Sequence, residues 1–307
     1  MAATRPTLTG TDFVERRLRR TGTTDWRSWL LEGALLFSLL IALGILIVLV
    51  GDTLIKALPI LTERPVDFLT SIVSARAERA GILQAIIGSL TITFMVAVLA
   101  IPIGIGAAVY LEEYARDTRM SRFIRTNIRN LAGVPAIVYG LLGLAVFATL
   151  LGLGNMLIAG GLTLAVLILP VVVITTSEAL GAVPNAIREA AYGVGATRWE
   201  TIRSHVLPYA APGIFTGTIL SLARAFGETA PLLLVGAIAG TFNFVGPPWE
   251  QAFEGYTTLP TMVYHWSGYP QDEFRALSAA TIIVLLGVIL LVNASAILLR
   301  NRYDRKW

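Results

Sequence analysis

Residues 131–177 read LAGVPAIVYGLLGLAVFATLLGLGNMLIAGGLTLAVLILPVVVITTS and contain no charged side chain. A transmembrane helix needs about 20 apolar residues, so this run is long enough for two of them. Gly152, Gly154 and Asn155 lie near its middle and favour a turn. The stretch therefore predicts two membrane-spanning helices joined by a tight connection.

The other apolar runs of the chain predict four more spans, at residues 33–50, 82–111, 212–236 and 276–299. Of the 307 residues, 55% are hydrophobic and 14% charged, against about 25% charged in soluble domains. A cleavable signal peptide is the alternative for the first run. No small-residue cleavage site follows it closely, which favours an uncleaved anchor. The sequence therefore predicts an all-α, polytopic membrane protein with six transmembrane helices.

Arginine and lysine predict how these spans are oriented. The segments on the side of the two termini carry 18 of these residues, and those on the opposite side carry 5. Positive charge accumulates on the cytoplasmic face, so we expect both termini and residues 181–211 in the cytoplasm. We expect a cytoplasmic N-terminal tail at 1–30, and a first transmembrane helix with the start of the outer loop at 31–60. A core transmembrane domain follows at 80–300 and a cytoplasmic C-terminal tail at 301–307.

Composition excludes several classes of site. Cysteine is absent, so the chain has no disulfide, thiolate nucleophile or Cys-ligated metal. Lys56 and Lys306 are the only lysines and neither lies in a Gly-rich GK[ST] motif, so no P-loop is present. The net charge of +4 could indicate a nucleic-acid partner, but the arginines cluster at membrane ends, which favours a lipid bilayer. We therefore expect no enzyme and no metal site in this chain.

One polar segment, GAVPNAIREAAYGVGATRWETIRSHVLPYAA at 181–211, separates two apolar runs and is called the docking loop below. Pro184 can begin a short helix, and Gly193 and Gly195 end it. Thr197 and Glu200 have the spacing of a capping box, which predicts the start of a second helix.

The second helix has Trp199, Ile202 and Val206 on one face, and Pro208 and Pro212 are expected to stop it before the next span. An amphipathic helix pair of this kind is compatible with two surroundings. It can rest on lipid headgroups, or it can dock a second protein. The spacing alone leaves both interpretations open.

The docking loop also resembles a known signature. Glu189-Ala190-Ala191, Gly195 and Leu207-Pro208 match the EAA motif in permease subunits of bacterial ABC importers. His205 stands where that motif usually has isoleucine. The resemblance implies a type I ABC importer permease fold (MetI-like). It also favours docking to an ATPase subunit through eight residues: Glu189, Ala190, Ala191, Gly195, Thr197, Trp199, Leu207 and Pro208.

Four further segments resemble those of phosphate-importer permeases: YLEEY at 110–114, GVPAIVYG at 133–140, ARAFGETAP at 223–231, and LP, VY and W within 259–266. The segments at 223–231 and 259–266 favour the A-type subunit. The resemblance implies a subunit that imports inorganic phosphate across the cytoplasmic membrane. The alternatives are another oxyanion, sulfate or molybdate, and a non-transporting anchor or sensor. The implied partners are a second homologous permease, two ATPase copies that bind ATP and Mg, and an extracytoplasmic phosphate-binding protein. No cofactor is expected in this chain itself.

Arg224 and Glu228 are charged residues inside the fifth predicted span and lie four apart, so they are expected to share a helix face. Small residues repeat beside them at spacing four, at Gly213, Gly217, Ser221, Ala225 and Thr229. This stripe predicts close helix packing, with the ion pair directed towards a bundle interior. Intramembrane charges are usually functional, so Arg224, Glu228 and Thr229 are candidates for a substrate path. A purely structural ion pair is the alternative.

Other polar and aromatic residues are assigned simpler roles. We expect Glu112 and Glu113 to form a solvated network with Arg116 and Arg119 at a helix end. Tyr139 and Pro135 can shape a pore or pack in the bundle, and we favour packing. Three aromatic residues of the outer segment 237–275, Trp249, Tyr264 and Trp266, fit an interfacial belt, and contact with an external binding protein is the alternative.

Overall fold

The computed structural model describes residues 26–237 and 252–303. In chain order its helices are α1 (Trp26–Glu63), α2 (Pro65–Thr70), α3 (Leu83–Val109), α4 (Arg119–Ala132), α5 (Ala136–Gly143), α6 (Leu157–Gly181), α7 (Asn185–Gly193), α8 (Arg198–Thr201), α9 (Leu207–Gly227), α10 (Ala230–Leu234), α11 (Leu259–Ser267) and α12 (Asp272–Tyr303). Wider π-helical turns extend α3, α5 and α8, at Tyr110–Tyr114, Leu144–Leu150 and Ile202–Val206. Most of the predicted N-terminal tail, part of the C-terminal tail and Trp249 lie outside the described residues.

The chain divides into two compact units, Met1–Asp52 and Thr53–Trp307. The described part of the first unit is the beginning of α1, and its leucines are exposed, for example Leu36 and Leu46. The second unit contains the rest of α1 and all other helices. The prediction placed only residues 33–50 in the first span, but α1 continues through Gly51 to Glu63 without a break.

Five helical stretches are long and apolar enough to cross a membrane: Ser28–Glu63, Leu83–Tyr114, Leu157–Gly181, Arg198–Gly227 and Asp272–Leu298. A sixth exists if the bent pair Arg119–Ala132 and Ala136–Leu150, which meet at 100°, forms one broken span. The all-α class is therefore confirmed, with five candidate spans, or six when the bent pair is counted as one broken third span. The predicted turn in the 131–177 run is present, because Gly152 and Gly154 have φ angles of 67° and 56°.

The centre of the second unit is the packing of α3 against α6. Ile92 and Val96 of α3 lie in one buried cluster with Leu164 and Ile168 of α6. A Cβ added at Gly104 would lie 2.6 Å from Val172 Cγ1, so the two helices are in close contact there. These two helices form the frame on which the docking loop and α9 are placed.

The small-residue stripe of α9 packs against α6, as the sequence predicted. A Cβ at Gly213 would lie 2.9 Å from Ala179 Cβ, and one at Gly217 would lie 2.5 Å from Thr175 Cβ. Ser221 and Ala225 continue the stripe and are buried. Close approach of the two helices therefore fixes the position of α9 within the bundle.

The segment before α12 is buried more deeply than the sequence predicted. Trp266 is 1% exposed and lies 6.3 Å from Phe274 between ring centroids, so the interfacial assignment of Trp266 is wrong. Burial raises the pKa of the Tyr256 phenol, which donates to Leu232 O at 3.4 Å. Tyr264 is 59% exposed, as a belt residue would be.

Candidate docking loop and ion-pair site

The docking loop has the two short helices that its sequence predicted. Pro184 precedes the first residue of α7, and Gly195 follows α7 with a φ of 86°. The capping box is formed at the start of α8: Thr197 Oγ1 accepts from the Glu200 N–H at 3.3 Å, and Glu200 Oε2 accepts from the Thr197 N–H at 2.8 Å. A glycine in the left-handed region and a reciprocal cap therefore fix the turn between the two helices.

The second helix does not stop at its prolines, which corrects the prediction. Through the π-helical turn it continues into α9, so that Arg198–Gly227 is one span of 30 residues. A proline normally clashes with the carbonyl four residues before it. In the wider turn Leu207 N–H donates to Ile202 O, five residues back, and this widening just before Pro208 relieves the clash.

Side chains of the docking loop divide into an inner and an outer set. Ile202 and Val206 are fully buried against the bundle, whereas Trp199 is 54% exposed, so the predicted common face is split. The members of the EAA motif divide in the same way: Ala191 is buried, and Glu189 and Ala190 are exposed.

The exposed set also contains Tyr192 and Val194, so that, with Trp199, three large apolar side chains of the loop are exposed. Exposed apolar residues on a polar loop are typical of a protein-binding surface. Leu207 is half-buried and Pro208 is exposed. Pro208 lines a cavity of about 210 Å³ together with Ile187, Ser204, His205 and Tyr209. His205 therefore lies at the edge of a pocket between α7 and the second helix.

A buried ion pair that the sequence did not predict fixes α7 to the bundle. Arg188 Nη2 lies 2.6 Å from Glu113 Oε1, and the side chains of Arg188 and Glu113 are 17% and 5% exposed. Glu112 pairs with Arg125 instead. The expected solvated network with Arg116 and Arg119 is therefore wrong, because the π-helical turn directs these two carboxylates to separate arginines. Glu113 and Arg188 are 75 positions apart, and no local sequence pattern connects them.

The charged pair in the fifth span is formed, but its geometry differs from the prediction. Arg224 Nε lies 3.2 Å from Glu228 Oε1. The helix ends at Gly227, and Glu228 has extended backbone angles of φ −73° and ψ 126°. Pro231 favours this end of the helix, because it has no N–H to donate to the Gly227 carbonyl. Thr229 follows as the residue that precedes α10.

The ion pair is partly exposed in the part of the chain that the structure describes. The side chain of Arg224 is 46% exposed and that of Glu228 is 18% exposed. Within the described residues the pair is therefore not fully enclosed, and its direction towards a bundle interior stays a prediction. A guanidinium that is paired on one edge still has donors free for an anion on its other edge.

Two of the sequence segments meet beside this pair. Gly140 of α5 packs on α10, where an added Cβ would lie 2.7 Å from Pro231 Cα. Tyr139 donates to Leu131 O at 2.8 Å and is buried. The GVPAIVYG and ARAFGETAP segments therefore pack against each other at Gly140 and Pro231, and the burial of Tyr139 fits the packing role expected for it.

A family model described as "Binding-protein-dependent transport system inner membrane component" matches residues 100–306, two thirds of the chain. The chain belongs to this family. A chain of the inward-facing MetNI methionine ABC transporter superposes with a TM-score of 0.60 at 18% identity, covering 73% of this chain and 96% of that one. The fold is thus that of type I ABC importer permeases, in a multi-pass inner-membrane protein.

Two sequence relatives have similar descriptions. The chain is 40% identical over 172 residues to "Probable ABC transporter permease protein YqgI" of Bacillus subtilis (strain 168), and the match spans 56% of this chain and 58% of that protein. It is 37% identical over 223 residues to "Phosphate transport system permease protein PstA 1" of Mycobacterium tuberculosis (strain ATCC 25618 / H37Rv), covering 72% of this chain and 70% of the relative.

Proposed function

We propose that this chain is a permease subunit of an ATP-driven importer that moves inorganic phosphate across the inner membrane by alternating access. The proposal rests on one observation above all. Arg224, paired with Glu228 and still 46% exposed, lies at one end of the continuous helix whose other end is the docking loop. The phosphate transport description of the Mycobacterium tuberculosis relative supports the choice of cargo.

Arg224 supplies the chemistry for an oxyanion. Its guanidinium is always charged and planar, so it can donate two parallel hydrogen bonds to phosphate oxygens. Glu228 orients the guanidinium at 3.2 Å and can accept the proton of a monohydrogen phosphate. Sulfate has no such proton, so the Glu228 carboxylate would face a second negative group without a hydrogen bond between them. Thr229, next in sequence, adds a hydroxyl on the same path.

The two ends of the helix Arg198–Gly227 indicate which proteins would bind this chain. A second homologous permease completes the path on the open side of Arg224. Two ATPase subunits, which bind ATP and Mg, dock on Glu189, Ala190 and the exposed apolar residues of the two permeases' loops. An extracytoplasmic phosphate-binding protein delivers the cargo to the opposite face. The arginine asymmetry supports this orientation, with both termini and the docking loop in the cytoplasm.

Uptake of labelled phosphate by vesicles that contain the whole complex tests the function, with sulfate and molybdate as competitors. We expect phosphate to compete strongly and the other oxyanions weakly. Arg224→Gln should reduce uptake about tenfold or more, since it removes a charged hydrogen bond. Arg275→Gln is the control, because Arg275 is an exposed arginine paired with Asp272 outside the site.

Three outcomes would contradict the proposal in different ways. Unchanged uptake in Arg224→Gln removes Arg224 from the path. Preferential uptake of sulfate or molybdate assigns the complex to another oxyanion. A complex that assembles with its ATPase and takes up no oxyanion is an anchor or sensor.

A further inference from the structure

Arg188 of α7 joins three elements of the bundle with one guanidinium. Its Nη2 donates to Glu113 Oε1 at 2.6 Å, and its Nε lies 3.2 and 3.3 Å from the two Glu113 oxygens. Nη1 donates to Val183 O at 2.8 Å, and Nη2 donates to Leu180 O at 3.0 Å. Arg188 is thus bonded to the end of α3, to the end of α6 and to the residue before Pro184.

The surroundings make this junction rigid. Leu180, Val183 and Leu111 belong to one buried apolar cluster, and Glu113 is 5% exposed beside it. An ion pair withdrawn from water in this way has few alternative partners, because each charge would be left uncompensated without the other. Glu113 lies in the π-helical turn Tyr110–Tyr114, where Ala115 N–H donates to Tyr110 O at 2.8 Å. Such turns are frequent at functional positions of helices.

The neighbouring carboxylate provides a natural comparison. Glu112 pairs with Arg125 of α4, so this second ion pair joins α3 to a helix outside the docking loop. Its members are more exposed, at 34% for Arg125 and 22% for Glu112. Two adjacent glutamates of one turn therefore form ion pairs with two different helices. Glu112 pairs with α4, and Glu113 pairs with α7 of the docking loop.

We propose that Glu113 and Arg188 are positioning residues that transmit movement of α7 to α3 and α6. The proposal rests on the proposed function, in which an ATPase moves the docking loop. Around the junction, Ile187 of α7 packs on the same apolar cluster, and Ala191 of α7 is buried. With the ion pair intact, α7 and the ends of both helices move as one body. Without it, α7 slips against them, and ATP is hydrolysed with less transport.

The test uses the complete complex in vesicles and measures phosphate imported per ATP hydrolysed. Glu113→Gln keeps the shape of the side chain and removes its charge. It should lower that ratio about fivefold or more, the size of an ordinary coupling between sites, while the ATPase still copurifies. Arg188→Lys, which keeps the charge and loses the forked geometry, should lower the ratio to a smaller extent. Glu112→Gln is the matched control and should leave the ratio unchanged.

A second measurement does not depend on the cargo. The natural chain has no cysteine, so Tyr110→Cys places a single thiol at an exposed position of the π-helical turn. Its labelling rate should change when a non-hydrolysable ATP analogue is added. This change should disappear when Glu113→Gln is introduced in the same chain and persist with Glu112→Gln.

The outcomes separate the inference from the function. The inference is overturned if Glu113→Gln and Arg188→Lys keep the natural ratio, if Glu112→Gln lowers it equally, or if the thiol does not respond to the analogue. A different result would contradict only the proposed function: the complex takes up no phosphate, but the labelling rate of the thiol still changes with the ATP analogue and this change still requires Glu113.

Discussion

Gly88 lies where α3 meets the segment that leads into α11. A Cβ added there would lie 2.0 Å from the carbonyl oxygen of Thr257. The next residue, Ser89, accepts from the Leu259 N–H at 2.8 Å, so the approach of the two segments is held by a hydrogen bond. A side chain at position 88 can only be accommodated if backbone moves.

Gly88→Ala should therefore destabilise the protein by about 1–3 kcal/mol, the usual cost of overpacking. Thermal unfolding of the purified protein measures this as a lower Tm. Gly106→Ala is the control in the same helix, because nothing lies within 4 Å of its added Cβ. Alanine has the higher helix propensity, by about 1 kcal/mol, so the control should keep or raise the Tm. A Gly88→Ala protein with the natural Tm would contradict the packing.

Residues that act locally could be predicted from sequence, and residues that act at long range could not. Thr197, Glu200 and Gly195 were predicted because a cap and a turn depend on spacings of a few residues. Arg188 and Glu113 are separated by 75 positions, and no local pattern in this chain connects them. Trp266 was misassigned because an aromatic near a span end has the same sequence signature whether it faces lipid or the core.

The docking loop is the element with the most specific local requirement. Gly195 has a φ of 86°, and a residue with a Cβ pays about 1–2 kcal/mol in this region. Gly195→Ala should therefore shift α8 or populate other loop conformations. If the loop docks the ATPase, its affinity should fall about fivefold or more.

Copurification of the ATPase at graded concentrations measures this effect. Gly193→Ala is the control two residues earlier, since Gly193 ends α7 without a positive φ and has open space around it. The control should bind as the natural chain does. Equal binding by both variants would show that the turn geometry is not needed for docking.

Element boundaries show where sequence reasoning fails for a physical reason. Pro208 was expected to end a helix and does not, because a π-helical turn just before it widens the helix. At Pro231 a helix does end, since α9 stops at Gly227, four residues earlier, whereas Pro212 lies inside α9. The same residue type thus has opposite effects. The difference depends on backbone hydrogen bonding that spacing alone does not reveal.

At the scale of the whole molecule, the arrangement of helices agrees with the sequence because the membrane limits the choices. Every backbone polar group in a bilayer needs an internal partner, so long apolar runs become helices. The broken third span was not predicted, since α4 carries several arginines and the uncharged run begins only at its end.

The orientation of the molecule can be tested with single cysteines in the otherwise cysteine-free chain. Val194→Cys lies on the docking loop and Tyr264→Cys on α11, and the natural residues are 85% and 59% exposed. In right-side-out vesicles an impermeant maleimide should label only Tyr264→Cys, and in inverted vesicles only Val194→Cys. The reverse pattern would place both termini outside and contradict the arginine rule.

Continuity between the docking loop and the fifth span has a mechanical consequence. The helix Arg198–Gly227 is about 45 Å long at 1.5 Å per residue, with Trp199 near one end and Arg224 near the other. A torque applied at Trp199 travels along covalent backbone and reaches Arg224 without crossing a packed interface. The Glu113–Arg188 junction offers a parallel linkage made of side chains. A single substitution can uncouple the Glu113–Arg188 ion pair. The helix Arg198–Gly227 transmits rotation through its backbone, and only a break in the helix would interrupt it.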